Sequence, residues 1–217
     1  MSDHKIYRTP SAYSYPLLIK QLLNTLELRH PDQEIVYADR LRYTYRDFKK
    51  RVARLANLLT SLGVREGDTV AVLDWDSHRY LECFFAIPMI GAVLHTVNIR
   101  LSPDQILYTM NHAGDDLVLI NKEFLPLMAP ILGRIETVKD WVVISESADN
   151  ADSAIQFAGE YEALLDTQPE VHDFADFDED LRATIFYTTG TTGNPKGVYY
   201  SHRQIVLHTL GKGLAMG

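Results

Sequence analysis

Only one cysteine, Cys83, occurs in the 217 residues, which excludes an internal disulfide and any cysteine-based zinc cluster. It sits in the apolar run YLECFFAIPMIGAV, where a buried structural thiol is the expected state. Positive charge is scarce: 21 Lys and Arg stand against 29 Asp and Glu, for a net charge of −8. So acidic a chain lacks the clustered basic residues that nucleic-acid backbones and anionic membrane surfaces require, although a small local anion site remains compatible with it. No apolar run approaches the ~20 residues that span a bilayer. The opening MSDHKIYRTPSAYSYP has no apolar signal core, and a cytoplasmic protein is expected. No internal repeat is present.

What the chain does have is a regular rhythm. Residues 1–16 read as an arm. LLIKQLLNTLEL has helical spacing and stops before Pro31, and EIVYADRLRYTY reads as two β-rich runs forming a hairpin around Asp39 and Arg40. Thr44, with Asp47 three residues on, starts a helix that sets Phe48, Val52, Leu55, Leu58, Leu59 and Leu62 on one face and stops at Gly63. Strands and helices then alternate. TVAVLDW, VLHTVN, DLVLINK and KDWVVISE are strands; between them come a helix entered at Ser77, a helix capped by Ser102 with Gln105 as box partner, and a helix over EFLPLMAPILGRI. Apolar strands in this order predict an α/β fold over residues 17–180, an open and mainly parallel sheet with helices on both faces. Residues from about 145 to 180 read as an acidic surface excursion with one short helix at GEYEALL. Its run PEVHDFADFDED lacks the ligand spacing and glycine of a calcium loop and reads as solvated loop.

The chemistry lies in residues 181–217. LRATIFY is a strand pattern that runs into TTGTTGNPKG. Gly190 and Gly193 permit the positive φ angles with which backbone N–H groups converge on an anion. Thr188, Thr189, Thr191 and Thr192 add hydroxyl donors, and Lys196 adds a compact positive charge. A bland surface turn needs no such density of donors. The Walker pattern almost fits, but Pro195 stands at its second glycine and Gly197 at its Ser/Thr. A Walker loop also runs straight into a helix, whereas GVYY is β-like and only Ser201, with Gln204, opens a helix. The expected order is therefore strand, loop, strand, helix: a β-hairpin carrying a phosphate loop. On residue type alone, His202 reads as a surface residue at that helix N-terminus and His208 as packing.

The loop resembles the signature Y-T-S-G-T-T-G-x-P-K-G of the AMP-forming acyl-CoA synthetase, or adenylate-forming, superfamily, matched from Tyr187 to Gly197 with Thr189 at the usual serine. The likeness extends upstream through YTYRDFKKRVARLANLLTSLGVREGDTVAV. The segments HTVNIRLSPDQILYTMNHAGDDLVL and GVYYSHRQIVLH are similar to bacterial medium- and long-chain fatty-acid–CoA ligases. It covers the chain from about Tyr15 to the end, with a mild departure at Asn98-Ile99-Arg100-Leu101, where the family writes N-P-R-L. The resemblance implies the N-terminal part of the large domain of such an enzyme and its two-step reaction. A carboxylate attacks the α-phosphorus of Mg-ATP, giving an acyl-adenylate and pyrophosphate; the thiol of coenzyme A then displaces AMP. It assigns the β- and γ-phosphates to Thr188, Thr189, Gly190, Thr191, Thr192, Gly193 and Lys196, sets Thr188 beside Mg2+, and puts His202 near the acyl-adenylate as a catalytic candidate. His95, Asn98 and Arg100 are read as sheet-edge structure. ATP, Mg2+ and coenzyme A are the implied cofactors, and a nucleotide and a fatty acid the implied small-molecule partners.

The same resemblance marks motifs these residues lack: the Y-G-x-T-E-type motif for adenine and magnesium, the ribose-binding aspartate with the arginine after it, and a C-terminal lysine. The chain thus reads as the first part of a longer ligase, inactive alone. Its helix over 202–210 is expected to lack packing partners and to favour self-association as a homodimer or higher oligomer. A reading of another class is a stand-alone, non-catalytic module that binds phosphate or a protein. Whether the reading frame continues after Gly217 separates the two.

Overall fold

The computed structural model describes residues 4, 7, 9–146, 154–188 and 193–216, with only the backbone of residues 214 and 216. Helix α1 (Ile19–Arg29) buries Ile19 and Leu23. Strands β1 (Glu34–Tyr37) and β2 (Leu41–Thr44) form the expected antiparallel hairpin. At Thr44 the side chain accepts from Asp47 N, and the Asp47 carboxylate accepts from Thr44 N. That reciprocal cap starts α2 (Tyr45–Ser61), whose apolar stripe is buried, and Gly63 ends it at φ 89°.

Strand β3 (Thr69–Leu73) is followed by α3 (His78–Met89), capped by Ser77. After β4 (Val93–Thr96), α4 (Pro103–Ala113) has the Ser102–Gln105 capping box and a left-handed exit at Gly114. Strand β5 (Asp115–Asn121) follows. The expected helix over EFLPLMAPILGRI is not continuous. A 3-10 turn (Lys122–Phe124), a single helical turn α5 (Leu125–Met128) and a second 3-10 turn (Leu132–Arg134) replace it. Pro126 suits a first turn, but Pro130 has no N–H to continue the ladder and its ring would meet the carbonyl four residues back.

The acidic excursion is also less superficial than its composition suggests. After β6 (Asp140–Ile144), strand β7 (Gly159–Glu160) pairs in parallel with it and leads into α6 (Tyr161–Asp166), where Tyr161 and Leu165 are fully buried. Strands β8 (Arg182–Thr188) and β9 (Lys196–Ser201) and helix α7 (His202–Met216) complete the chain.

One seven-stranded sheet has the order β7-β6-β5-β3-β4-β8-β9, parallel throughout except for the β8–β9 pair. Alternation along β3 sends Val70 and Val72 into a core with α1, α2, α3 and α6, and Ala71 and Leu73 into a second core under α4 and α5. Val206 anchors α7 to the first core, while Leu207 and Leu210 are about half exposed (47% and 50%). Among the described residues no helix is long and apolar enough to cross a membrane.

Candidate phosphate-binding site

Because β8 runs parallel to β4, its carboxyl end lies on the rim of the sheet where β3, β5 and β6 also end. Open parallel sheets bind ligands outside that rim. The strand leaves the rim as the loop and returns as β9, and Thr188 and Lys196 face each other at the mouth of the hairpin. Directly opposed residues of an antiparallel pair project on the same face, so both side chains leave the hairpin on one side. Both residues are exposed, and Gly193 has φ 97°. Thr189, Gly190, Thr191 and Thr192 lie outside the described residues. The strand–loop–strand–helix order is as expected, and the return through β9 distinguishes this loop from a Walker loop.

One residue before Thr188, Tyr187 points to the opposite face and is buried. Its hydroxyl lies 2.7 Å from His112 Nδ1 on α4. A tyrosine hydroxyl is protonated at neutral pH and burial raises its pKa further, so it donates to Nδ1 in the tautomer that carries the imidazole proton on Nε2. Its ring packs 5.3 Å from that of His95, whose Nδ1 is 2.9 Å from both carboxylate oxygens of Asp115. Burial raises the Asp115 pKa, and His95 opposes that rise. His95 is wholly buried on β4, an interior strand between β3 and β8, which corrects its reading as sheet-edge structure. Sequence reasoning missed this His112–Tyr187 contact, since nothing in the spacing of NHAG and IFY pairs them.

His202 is not beside the loop. Its N–H donates to Leu181 O at the other end of β8, and a seven-residue strand separates the two ends by ~20 Å. Nor is it a surface residue: it is 0% exposed, packs 4.9 Å from the Phe177 ring, and its Nδ1 accepts from Ile19 N at 3.4 Å. Burial lowers its pKa to about 4, and among the described residues its Nε2 has no hydrogen-bond partner. Ser201 and Gln204 do cap α7 as expected.

A second polar assembly lies at the far side of the sheet, where α2, α3 and α6 meet. Arg51 Nε donates to Glu82 at 2.6 Å and its Nη2 to Glu162 at 2.9 Å; Arg79 Nε donates to Glu162 at 2.7 Å, and Tyr161 Oη to Glu82 at 2.7 Å. Burial pushes the Glu162 pKa up, but His78, Arg51 and Arg79 outweigh it and hold the carboxyl at about 2. A cleft of about 530 Å3 opens here, lined by Tyr37, Arg40, Arg51, Arg79 and Glu162. Its cations are already matched by carboxylates, so the assembly ties helices together, and it stands several strands away from the loop.

A model of the family described as AMP-binding enzyme matches residues 26–214. The chain is 43% identical over 176 residues to a long-chain-fatty-acid–CoA ligase of Thermus thermophilus, covering 81% of this chain and 31% of that protein. It is 35% identical over 198 residues to a medium-chain-fatty-acid–CoA ligase of Ectopseudomonas oleovorans, covering 89% and 36%. The crystal structure of an anthranilate CoA ligase in complex with anthranoyl-AMP superposes with a TM-score of 0.77 at 26% identity, over 87% of this chain and 35% of that one. The chain spans about a third of the length of these relatives.

Proposed function

This chain belongs to the AMP-binding enzyme family, and from that premise we propose that it is the N-terminal portion of a fatty-acid–CoA ligase, with the loop between β8 and β9 as its grip on the terminal phosphates of ATP. The observation that carries this is the pairing of Thr188 with Lys196 on the carboxyl rim, at the two ends of a loop with the family's signature. In this reading Lys196 and the hydroxyls and N–H groups of residues 188–193 neutralise charge that grows on departing pyrophosphate, a stabilisation exerted where the charge develops.

Mg2+ fits this site as a companion of the phosphates. Thr188 offers one hydroxyl, and no cluster of three His, Cys, Asp or Glu among the described residues forms a dedicated cage; magnesium commonly keeps waters and phosphate oxygens as its remaining ligands. The ion would supply further neutralisation of the phosphates. Coenzyme A and the fatty acid belong to the whole ligase. His202 is assigned to joining α7 with α1 rather than to the chemistry, because a strand's length separates it from the loop.

Two outcomes are expected. Lys196→Ala weakens binding of inorganic pyrophosphate to the 217-residue chain about tenfold, the loss of one charge-assisted contact, as read by titration calorimetry. Unchanged affinity would mean that the loop does not engage phosphate. The same chain shows no carboxylate-dependent exchange of labelled pyrophosphate into ATP, since the adenine, ribose and carboxylate motifs implied by the resemblance are not among these residues. Robust exchange with octanoate or palmitate would overturn that part of the reading.

A further inference from the structure

The residue opposite Tyr187 on β9 is Gly197. A Cβ on Gly197 would lie 3.3 Å from Tyr187 Cε1 and 3.4 Å from its Cζ, so the Tyr187 ring lies across the neighbouring strand. That ring is held on two further sides, by the His112 imidazole at its hydroxyl and by the His95 ring, tilted 56° to it at 5.3 Å. His95 is in turn fixed by Asp115. A single side chain thus connects β8, β9, β4 and α4 one residue before the two ends of the loop.

We propose that Tyr187, oriented by His112, is a positioning residue that sets the separation of Thr188 and Lys196 for a polyphosphate; this rests on the phosphate-loop reading. The surrounding cluster is apolar, formed by Val93 and Ile185 with Ala113 and Tyr199 packed against it. A phenylalanine would fill the same space. What the hydroxyl adds is direction: its hydrogen bond to His112, part-buried with His112 itself exposed, fixes a distance and an angle that apolar contact leaves soft. Thr188 and Lys196 project from the other face of the hairpin, so the clamp does not compete with a ligand for them. Polyphosphate binding needs donors already in place, and hydrogen bonds weaken steeply as their lengths and angles leave the optimum.

The test is titration of inorganic pyrophosphate into the 217-residue chain, with hydrogen–deuterium exchange at Thr188 and Lys196 as a second readout. Tyr187→Phe and His112→Ala are each expected to weaken affinity about tenfold while the melting temperature stays within a few degrees. His112→Asn keeps an acceptor near the Nδ1 position and is expected to restore affinity to within about threefold of the parent. The double variant is expected to bind no more weakly than either single one, because both remove the same bond. Faster exchange at the strand ends should accompany each loss. Parent-like affinity and exchange in Tyr187→Phe and His112→Ala would overturn the inference alone, as would equal losses in His112→Asn and His112→Ala. A parent chain that fails to bind pyrophosphate would remove the phosphate-loop reading, and the inference with it.

Discussion

Replacing Arg51 by alanine is expected to lower the free energy of unfolding by about 3–5 kcal/mol, the penalty for stripping a buried carboxylate of its partner. Glu82 is 0% exposed on α3 and is held by two Arg51 nitrogens and by the Tyr161 hydroxyl. Burial works against the Arg51 charge, yet Glu82 and Glu162 more than compensate and raise its pKa. Without the guanidinium, one neutral hydroxyl remains to satisfy a full negative charge in the core, and Glu162 loses one of its two arginines. Urea denaturation at neutral pH measures the loss. The paired change Arg51→Met with Glu82→Leu is expected to recover most of it, since an apolar pair of similar volume can equal a buried ion pair. A loss below about 1 kcal/mol for Arg51→Ala, the range of exposed pairs, would show that the assembly is solvated and has little structural weight.

Acidification should weaken the fold through His202. Its pKa falls from 6.5 to about 4 because burial disfavours the charged ring. With the folded value below the unfolded one, the unfolded chain takes up the proton first. The stability contribution is therefore complete above about pH 6.5 and declines as pH falls toward 4, by about 3 kcal/mol in all. His172 is lowered by burial too and adds a decline of the same sign. Carboxyls held low by partners, such as Glu162 at about 2, lose their contribution progressively as pH falls from about 5 toward the folded value. The window from pH 6.5 to about 5 lies above those losses. Asp115, raised by burial, acts there with the opposite sign, so the comparison with a His202 variant is what isolates this histidine. His202→Asn, which can keep the bond from Ile19 N, is expected to show a flatter stability profile there than the parent. Parallel profiles would sink the assignment of this residue as a buried neutral ring.

Much of this fold was legible from short-range chemistry. Thr44 with Asp47 and Ser102 with Gln105 announce helix starts because those side chains can reach their own backbone, and both caps formed. The apolar runs TVAVLDW and DLVLINK read as doubly covered strands, and the strands they form, β3 and β5, both lie inside the sheet. Failures occurred where the deciding partner is remote in sequence. Gly159 and Glu160 form a strand only because Val142 and Val143 offer them an edge. Tyr161 looked like part of a surface helix until its hydroxyl met Glu82. His202 was misread as exposed because its cover comes from α1 and Phe177. The hairpin around the candidate site was readable from glycine, threonine and β-branched content, whereas its support by His112 and His95 depends on tertiary placement alone.

The pairing of Leu94 with Thr184 has a consequence for how the molecule comes into being. Strands β3 and β4, and β5 and β6, pair after single crossovers and β5 reaches β3 past one intervening strand, but β8 can reach β4 only after everything between them has been made. The β8–β9 hairpin closes locally, within ~10 μs for a typical hairpin, while its docking carries the loop-closure entropy of a distant contact. Until then β4 presents an open parallel edge, the kind of template on which nascent chains stick to one another. The lysine and threonine of the rim acquire their fixed surroundings in that docking, so the binding-competent rim forms no earlier than it, and the vulnerable interval lasts as long as β4 waits for β8.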